Sequence, residues 1–333
     1  MENSTLTISV IIPVHQNYEP FQACMASVRN LKPAPDEIIV VADGDPEGAA
    51  LAKSLGVQVV ETAVAGGPGY SRNRGAEQAR GDILFFLDAD VTVYPDATDR
   101  LHKLFTEEPD ISAVIGSYDD RPSEPNFLSQ YRNLLHHYVH QNASPEGSTF
   151  WGACGAIRRV VFQDMDGFDE RYRYPSVEDI ELGCRMRQRG YRIRLDKALN
   201  IKHLKRWTVR SILFTDFFRR ALPWTAIILR DRRLVNDLNM KTSDRLSVAA
   251  SGLLFASTVG SSFRIEMLIV TGIMAGMLFM LNQPIYGFFY RKRGLWFAVK
   301  SVPWHWLYFL YSGLAFLIGI IRYGLRSKAL ERV

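Results

Sequence analysis

Cysteine is scarce in this 333-residue chain: Cys24, Cys154 and Cys184 are the only three. None forms a Cys-x-x-Cys pair, which excludes zinc-ribbon spacing, and an odd number so widely separated excludes a disulfide framework. Reduced, buried thiols facing the cytosol are the expectation. Low-complexity tracts and internal repeats are also missing, which excludes repeat architectures. Met1 to Thr7 is polar and the apolar run Ile8–Val14 is too short for a secretory leader, so none is expected. A strong excess of one charge is lacking too: 40 Lys and Arg face 35 Asp and Glu, a net +5. Much of the basic charge lies after Lys202, around an apolar C-terminal third. That location favours membrane headgroups over nucleic acid as the partner.

Long apolar runs are confined to that last third. Leu246–Phe263, Met267–Tyr290 and Ser301–Ile321 carry no formal charge. Each is close to the ~20 residues a membrane-spanning helix requires. The mean hydropathy of -0.06 conceals them because the rest is ordinary soluble protein. Trp296, Trp304, Trp306, Tyr308 and Tyr311 have the character of an interfacial aromatic belt. Three buried helices of a soluble domain are the competing reading. Between these parts, Thr208–Arg233 interleaves Phe214, Phe217, Phe218 and Trp224 with Arg219, Arg220, Arg230, Arg232 and Arg233. Such a helix lies in the headgroup plane, kinked or broken at Pro223, or packs on the preceding domain.

The front part alternates strand and helix patterns. Strands are expected at Ile8–Val14, Glu37–Ala42, Val57–Glu61, within Gly81–Asp90, at Ile111–Ser117 and at Tyr191–Leu195. Helices are expected at Glu19–Asn30, Pro46–Leu55, Tyr70–Arg80, Asp96–Phe105, Phe127–His140 and Glu178–Arg189. This alternation predicts an α/β domain with a mostly parallel sheet covered on both faces.

The most informative segment is Gly81-Asp82-Ile83-Leu84-Phe85-Phe86-Leu87-Asp88-Ala89-Asp90. A buried strand ends there in two carboxylates one residue apart. Ligands of open α/β sheets collect beyond the carboxyl ends of the strands. Asp88 and Asp90 are therefore candidates to hold a hard divalent cation with its phosphate ligand. Asp43 follows the second strand toward the same crevice and can accept a hydrogen bond from a base imide, although Asp-Gly is also a common turn. Glu178 and Asp179 open a helix, where the dipole alone would favour acids. His136 and His140 are one turn apart, but with no carboxylate beside them a solvated or acceptor-facing helix is the preferred reading.

With these residues in view, Thr7 to Trp207 closely resembles the family 2 glycosyltransferases of the GT-A, Rossmann-like fold. The pieces are Val10-Ile11-Ile12-Pro13, Ala42-Asp43-Gly44-Asp45, Ser71-Arg72-Asn73-Arg74-Gly75, Asp88-Ala89-Asp90, Gly167-Phe168-Asp169-Glu170 and Glu178-Asp179, in that order. The resemblance implies a nucleotide-sugar donor contacted by Pro13, Asp43, Arg72 and Asp88, with Asp43 reading the base. It implies Mg²⁺ or Mn²⁺ on Asp88 and Asp90, and Asp179 as catalytic base. Ala42, where the family often has Asp, and Asp45, where Ser is usual, are departures. His203-Leu204-Lys205-Arg206-Trp207 is similar to the Q-x-x-R-W signature of membrane polysaccharide and glycolipid synthases, with His for Gln. By these likenesses Glu178, Arg206 and Trp207 serve the acceptor or diphosphate, and His203 takes the Gln role, ligates the metal or is structural.

The resulting expectation is an inverting, metal-dependent transferase. It moves a sugar, more plausibly from UDP than GDP, to a hydroxyl of a lipid-linked or membrane glycan or glycolipid. The expected organisation is a catalytic domain over 1–207, interfacial helices over 208–245 and two or three membrane segments over 246–333. The positive-inside rule sets the catalytic domain and Arg291-Lys292-Arg293 in the cytoplasm, at the inner (plasma) membrane. A full last span would export Arg322, Arg326 and Lys328, so Ser301–Ile321 is read as spanning, re-entrant or interfacial. The alternatives are a polyprenyl-phosphate monoglycosyl synthase, a polysaccharide synthase and a nucleotide-sugar-binding scaffold without activity.

Overall fold

The computed structural model describes residues 6–232 and 236–330, with side chains to residue 325. Arg233, Arg326 and Lys328 of the expectations above lie outside the described residues or side chains. The chain divides into two units, Met1–Arg206 and Trp207–Val333.

The first unit is built on eight strands: β1 Ile8–Val14, β2 Glu37–Asp43, β3 Gln58–Thr62, β4 Ile83–Leu87, β5 Val91–Val93, β6 Ile111–Tyr118, β7 Cys154–Arg158 and β8 Arg192–His203. Their order across one sheet is β3-β2-β1-β4-β7-β6-β8-β5. The β3-β2-β1-β4 half is parallel, as is β6-β8, whereas β7 runs antiparallel to both its neighbours and β5 antiparallel to β8. The helices are α1 Tyr18–Arg29, α2 Pro46–Ser54, α3 Pro68–Gln78, α4 Ala97–Glu107, α5 Phe127–Gln141, α6 Arg159–Asp164 and α7 Glu178–Gln188. All five residues of β4 are buried, which is why this strand reads as an unbroken apolar run. β1 has β2 on one side and β4 on the other, and β2 and β4 each lead onward from the same end of the sheet. This is the switch point where open α/β sheets leave a crevice.

Two strands escape the sequence pattern. β7 is Cys-Gly-Ala-Ile-Arg, short and poor in β-branched residues, yet it pairs on both sides at the middle of the sheet. β5 has only three residues. β8 is also longer than the expected Tyr191–Leu195. Its alternation is broken by Asp196-Lys197-Ala198, where the register against β6 shifts and Asp196 accepts hydrogen bonds from Arg100. The strand resumes beyond that irregularity and ends at His203.

The second unit opens with α8 Val209–Phe214, which runs through a π-helical stretch, Thr215–Ala221, into α9 Leu222–Asp231. Pro223 therefore does not end the helix. It sits in the first turn of α9, where π-type irregularity frees the proline from a missing hydrogen bond. Three longer helices follow, α10 Thr242–Gly260, α11 Met267–Arg293 and α12 Leu295–Leu330. Among the described residues two stretches are long and apolar enough to cross a bilayer, Met267–Arg293 and Leu295–Leu325. The first expected segment, now α10, is not one of them; it begins with Asp244 and Arg245 and carries several serines. Inside this unit Asn282 donates to Ser247 Oγ at 2.9 Å, and Tyr311 donates to Asp216 at 2.7 Å.

Candidate functional site

Helix α3 assembles the site. Three consecutive side chains on it make three different connections. Asn73 Nδ2 donates to the Phe168 carbonyl and Asn73 Oδ1 accepts from the Phe168 amide, both at 2.9 Å, pinning the Gly167–Glu170 loop. Arg74 donates to Glu170 at 2.8 Å. Arg72, 3% exposed, donates from one terminal nitrogen to Asp88 Oδ1 at 2.5 Å and from the other to Glu178 Oε1 at 2.9 Å. One guanidinium thus ties the end of β4 to the start of α7. Its face lies 5.4 Å over the Phe168 ring, above a cluster of Phe86, Phe150 and Phe162. Arg72, expected beside the nucleotide, is bonded to two carboxylates, one of them the expected donor contact Asp88. Burial opposes its charge, but Asp88 and Glu178 outweigh that and hold it firmly protonated.

Asp179 is gripped by backbone. Gly152 N donates to Oδ2 at 3.0 Å and Ile180 N to Oδ1 at 2.7 Å. Burial, reinforced by the Glu178 charge, pushes its carboxyl up to about 6, against the pull of the Gly152 amide and Arg72. Gly152 lies in the segment leading into β7, and the Asp88 amide donates to the carbonyl of the next residue, Ala153. A Cβ on Gly152 would stand 2.8 Å from the Arg72 guanidinium carbon, so only glycine admits this close approach. Glu178 is buried, with Oε2 accepting from the Ser176 amide at 3.0 Å in addition to the Arg72 bond.

Asp88 and Asp90 part company. Burial raises the Asp88 carboxyl, Arg72 opposes this, and Asp90 repels it further. Burial also works to raise Asp90, but the positive charge that His203 carries when protonated, together with Lys205, outweighs it and holds Asp90 below the ordinary range. His203, the last residue of β8, has Nε2 3.4 Å from Asp90 Oδ2. That spacing suits two ligand atoms of one cation, whose bonds of about 2.0–2.2 Å place neighbouring ligands about 3 Å apart. Among the described residues no three His, Cys, Asp or Glu side chains form a metal group. A cation held by one or two carboxylates that completes its shell with substrate phosphates and water needs none.

Asp43, buried at the end of β2, accepts from the Gly66 and Gly67 amides at 2.9 Å each. It anchors the loop that opens α3, where Gly67 takes φ +92°. Asp45, the departure from the usual Ser, caps α2 by accepting from Gly48 N, and also accepts from Gln16 N and Tyr18 Oη. Pro13 is half-buried at the β1 end opposite Val41. Arg206 has a side chain 73% exposed, 3.9 Å from Glu124. Trp207 is the first residue of the second unit. On α5, His137 Nδ1 donates to the Tyr118 carbonyl and His140 Nδ1 to the Gly116 carbonyl, so these histidines dock the helix on β6. Gly152 and Asn133, which meets His203, were not singled out from sequence; no local pattern marks residues that act by closeness to another element.

The family profile described as "Glycosyl transferase family 2" matches residues 9–166. Residues 9–166 of the first unit form a family 2 glycosyltransferase domain. The match takes in β1 through β7 and with them Asp43, Arg72, Asp88 and Asp90. The pre-mycofactocin glycosyltransferase of Mycobacterium tuberculosis is 25% identical over 223 residues, 62% of this chain and 46% of that protein. The uncharacterized glycosyltransferase YibD of Escherichia coli is 35% identical over 114 residues, 32% of this chain and 33% of that protein. The alignments therefore span less than half the length of these curated relatives. The glucosyl-dolichyl phosphate glucuronosyltransferase of Haloferax volcanii is 28% identical over 216 residues, 60% of this chain and 69% of that protein. Among solved structures, the mannosyltransferase PcManGT of Pyrobaculum calidifontis, in complex with GDP-Man and Mn²⁺, has TM-score 0.55 at 14% identity, covering 95% of this chain and 88% of that one. At that identity the likeness is one of fold, the GT-A arrangement followed by C-terminal helices.

Proposed function

We propose that this protein transfers a sugar, with inversion, from a nucleotide diphosphate sugar to a hydroxyl of a lipid-linked or membrane acceptor. The observation that carries the reading is the Arg72 bridge, which joins the Asp88 end of β4 to the Glu178-Asp179 start of α7. A carboxylate pair for the donor and a carboxylate base for the acceptor are thereby held by one buried group. Asp90 and His203, with Asp88, would hold the divalent ion. The imidazole nitrogen suits Mn²⁺ better than the harder Mg²⁺. Bound there, the ion supplies Lewis-acid stabilisation of the departing diphosphate.

The chain's own groups do the rest. Asp179, raised to about 6, is ionised at neutral pH and close enough to it to take a hydroxyl proton efficiently. Asp43 orders the Gly66-Gly67 loop and uses its remaining lone pairs on the base, with Pro13 lining the same strand ends. Arg206, exposed, serves the diphosphate or acceptor. A lipidic acceptor is supported by α11 and α12, whose most apolar stretches are only 17% and 22% buried, unlike the core helices of a soluble protein. The Haloferax relative, by its name, also acts on a dolichyl-phosphate-linked sugar.

The test is a panel of radiolabelled UDP- and GDP-sugars offered to the full chain with a membrane-lipid extract and Mn²⁺ or Mg²⁺. Label moving into the organic phase supports the reading. Label appearing only in an aqueous polymer would favour a polysaccharide synthase, and full activity in Asp179→Asn would favour transfer to a polyprenyl phosphate, which needs no base. No transfer from any donor would favour the inactive scaffold.

A further inference from the structure

Asn133, on α5, belongs to none of the motifs above, yet it touches the group beside Asp90. Its side chain is buried, with the residue 2% exposed. Asn133 Oδ1 lies 3.1 Å from His203 Nδ1, so Nδ1 carries the proton and donates to the amide oxygen. A neutral imidazole protonated on Nδ1 keeps its lone pair on Nε2. Nε2 is the atom 3.4 Å from Asp90 Oδ2. The ring is held in orientation by Tyr118, stacked on it at 4.9 Å with an 11° tilt. Asn133 Nδ2, meanwhile, is buried without a hydrogen-bond partner. Leaving such a donor unmade is destabilising, and an apolar residue of the same shape would avoid it. What explains an asparagine here is the work of its oxygen.

We infer that Asn133 is a positioning residue for the metal: its carboxamide oxygen fixes His203 as the Nδ1–H tautomer, so that Nε2 and the Asp90 carboxylate offer two lone pairs to one divalent cation. The inference rests on the reading of Asp90 and His203 as ligands. In the other tautomer Nε2–H donates to Asp90, and the two groups satisfy each other instead of a cation. Asn133 therefore selects the open pair over the closed one. Histidine ligands elsewhere donate their second N–H to such partners, and losing the partner weakens metal binding by about 10–100-fold.

The experiment titrates Mn²⁺, alone and with UDP, into the full chain in detergent and follows it by electron paramagnetic resonance. The dissociation constant and the nitrogen modulation of the bound ion are both read. Asn133→Leu is expected to weaken Mn²⁺ binding by about 10–100-fold and to diminish the imidazole signal. Asn133→Asp, which keeps an acceptor toward Nδ1, is expected to retain both. His203→Ala should lose the imidazole signal altogether. If His203→Ala binds Mn²⁺ as tightly as the parent with unchanged modulation, the ligand reading fails and this inference with it. If His203→Ala is impaired but Asn133→Leu matches the parent in both readouts, the role of Asn133 alone is overturned. Should Asn133→Leu fail to fold, Asn133→Asp carries the test: loss of Mn²⁺ affinity there overturns the proposal, and retention of both readouts supports it.

Discussion

Asp179 shows how one carboxylate is tuned by opposing influences. From the sequence only its place at a helix start was legible, and the dipole there favours ionisation. The fold adds burial and the Glu178 charge, which together win and raise the carboxyl to about 6. A base must be ionised to work, so activity is lost as pH falls through that value. The kcat/KM profile of the full chain should therefore bend near pH 6 and drop about tenfold per pH unit below it. A flat profile across that range would remove Asp179 from the base role. Asp179→Asn should reduce turnover by about 10²–10⁴-fold while nucleotide binding, read by calorimetry, is largely kept. The parent itself should melt lower as the pH rises from the ordinary carboxylate value to about 6, because its ionised carboxylate is disfavoured in the fold. Arg72 is the opposite case. Arg72→Ala leaves the buried Glu178 without its cation, a loss of about 3–5 kcal/mol that denaturant unfolding would register.

At the scale of elements, β1, β2 and β4 were legible because their side chains are apolar on both faces and their ends carry punctuation. α2 and α7 were legible by the glycines that follow them, Gly56 and Gly190. β7 was not, because a short Cys-Gly-Ala run has no period to read. Its place is set by its neighbours: β4 and β6 pair with it antiparallel from either side. That insertion has a functional consequence, since it brings Gly152 against Arg72 and its amide to Asp179. Gly152→Val should displace the Arg72 guanidinium and lower kcat about 100-fold with little change in circular dichroism. Wild-type turnover in that variant would show that the close approach is not needed. The irregularity at Asp196–Ala198 likewise hid the second half of β8, and with it the register that sets His203 beside Asp90.

For the whole molecule, the composition shift at the start of the second unit marks a change of environment that no single helix conveys. α11 and α12 leave large apolar residues such as Ile269, Met280, Leu314 and Ile321 exposed. The protein is expected to stay in the pellet when membranes are washed with alkaline carbonate and to need detergent for extraction. Release into the carbonate supernatant would rule out spanning helices. The sequence by itself determined the α/β class, the acids at the strand ends and the family, because buried strands and carboxylate pairs leave local patterns. Only the tertiary structure decided that Arg72 bridges Asp88 and Glu178, that Gly152 and burial tune Asp179, and that Asn133 orients His203. Those partners lie tens of residues apart in the chain, and their chemistry depends on distances and exclusion of water that no local pattern encodes.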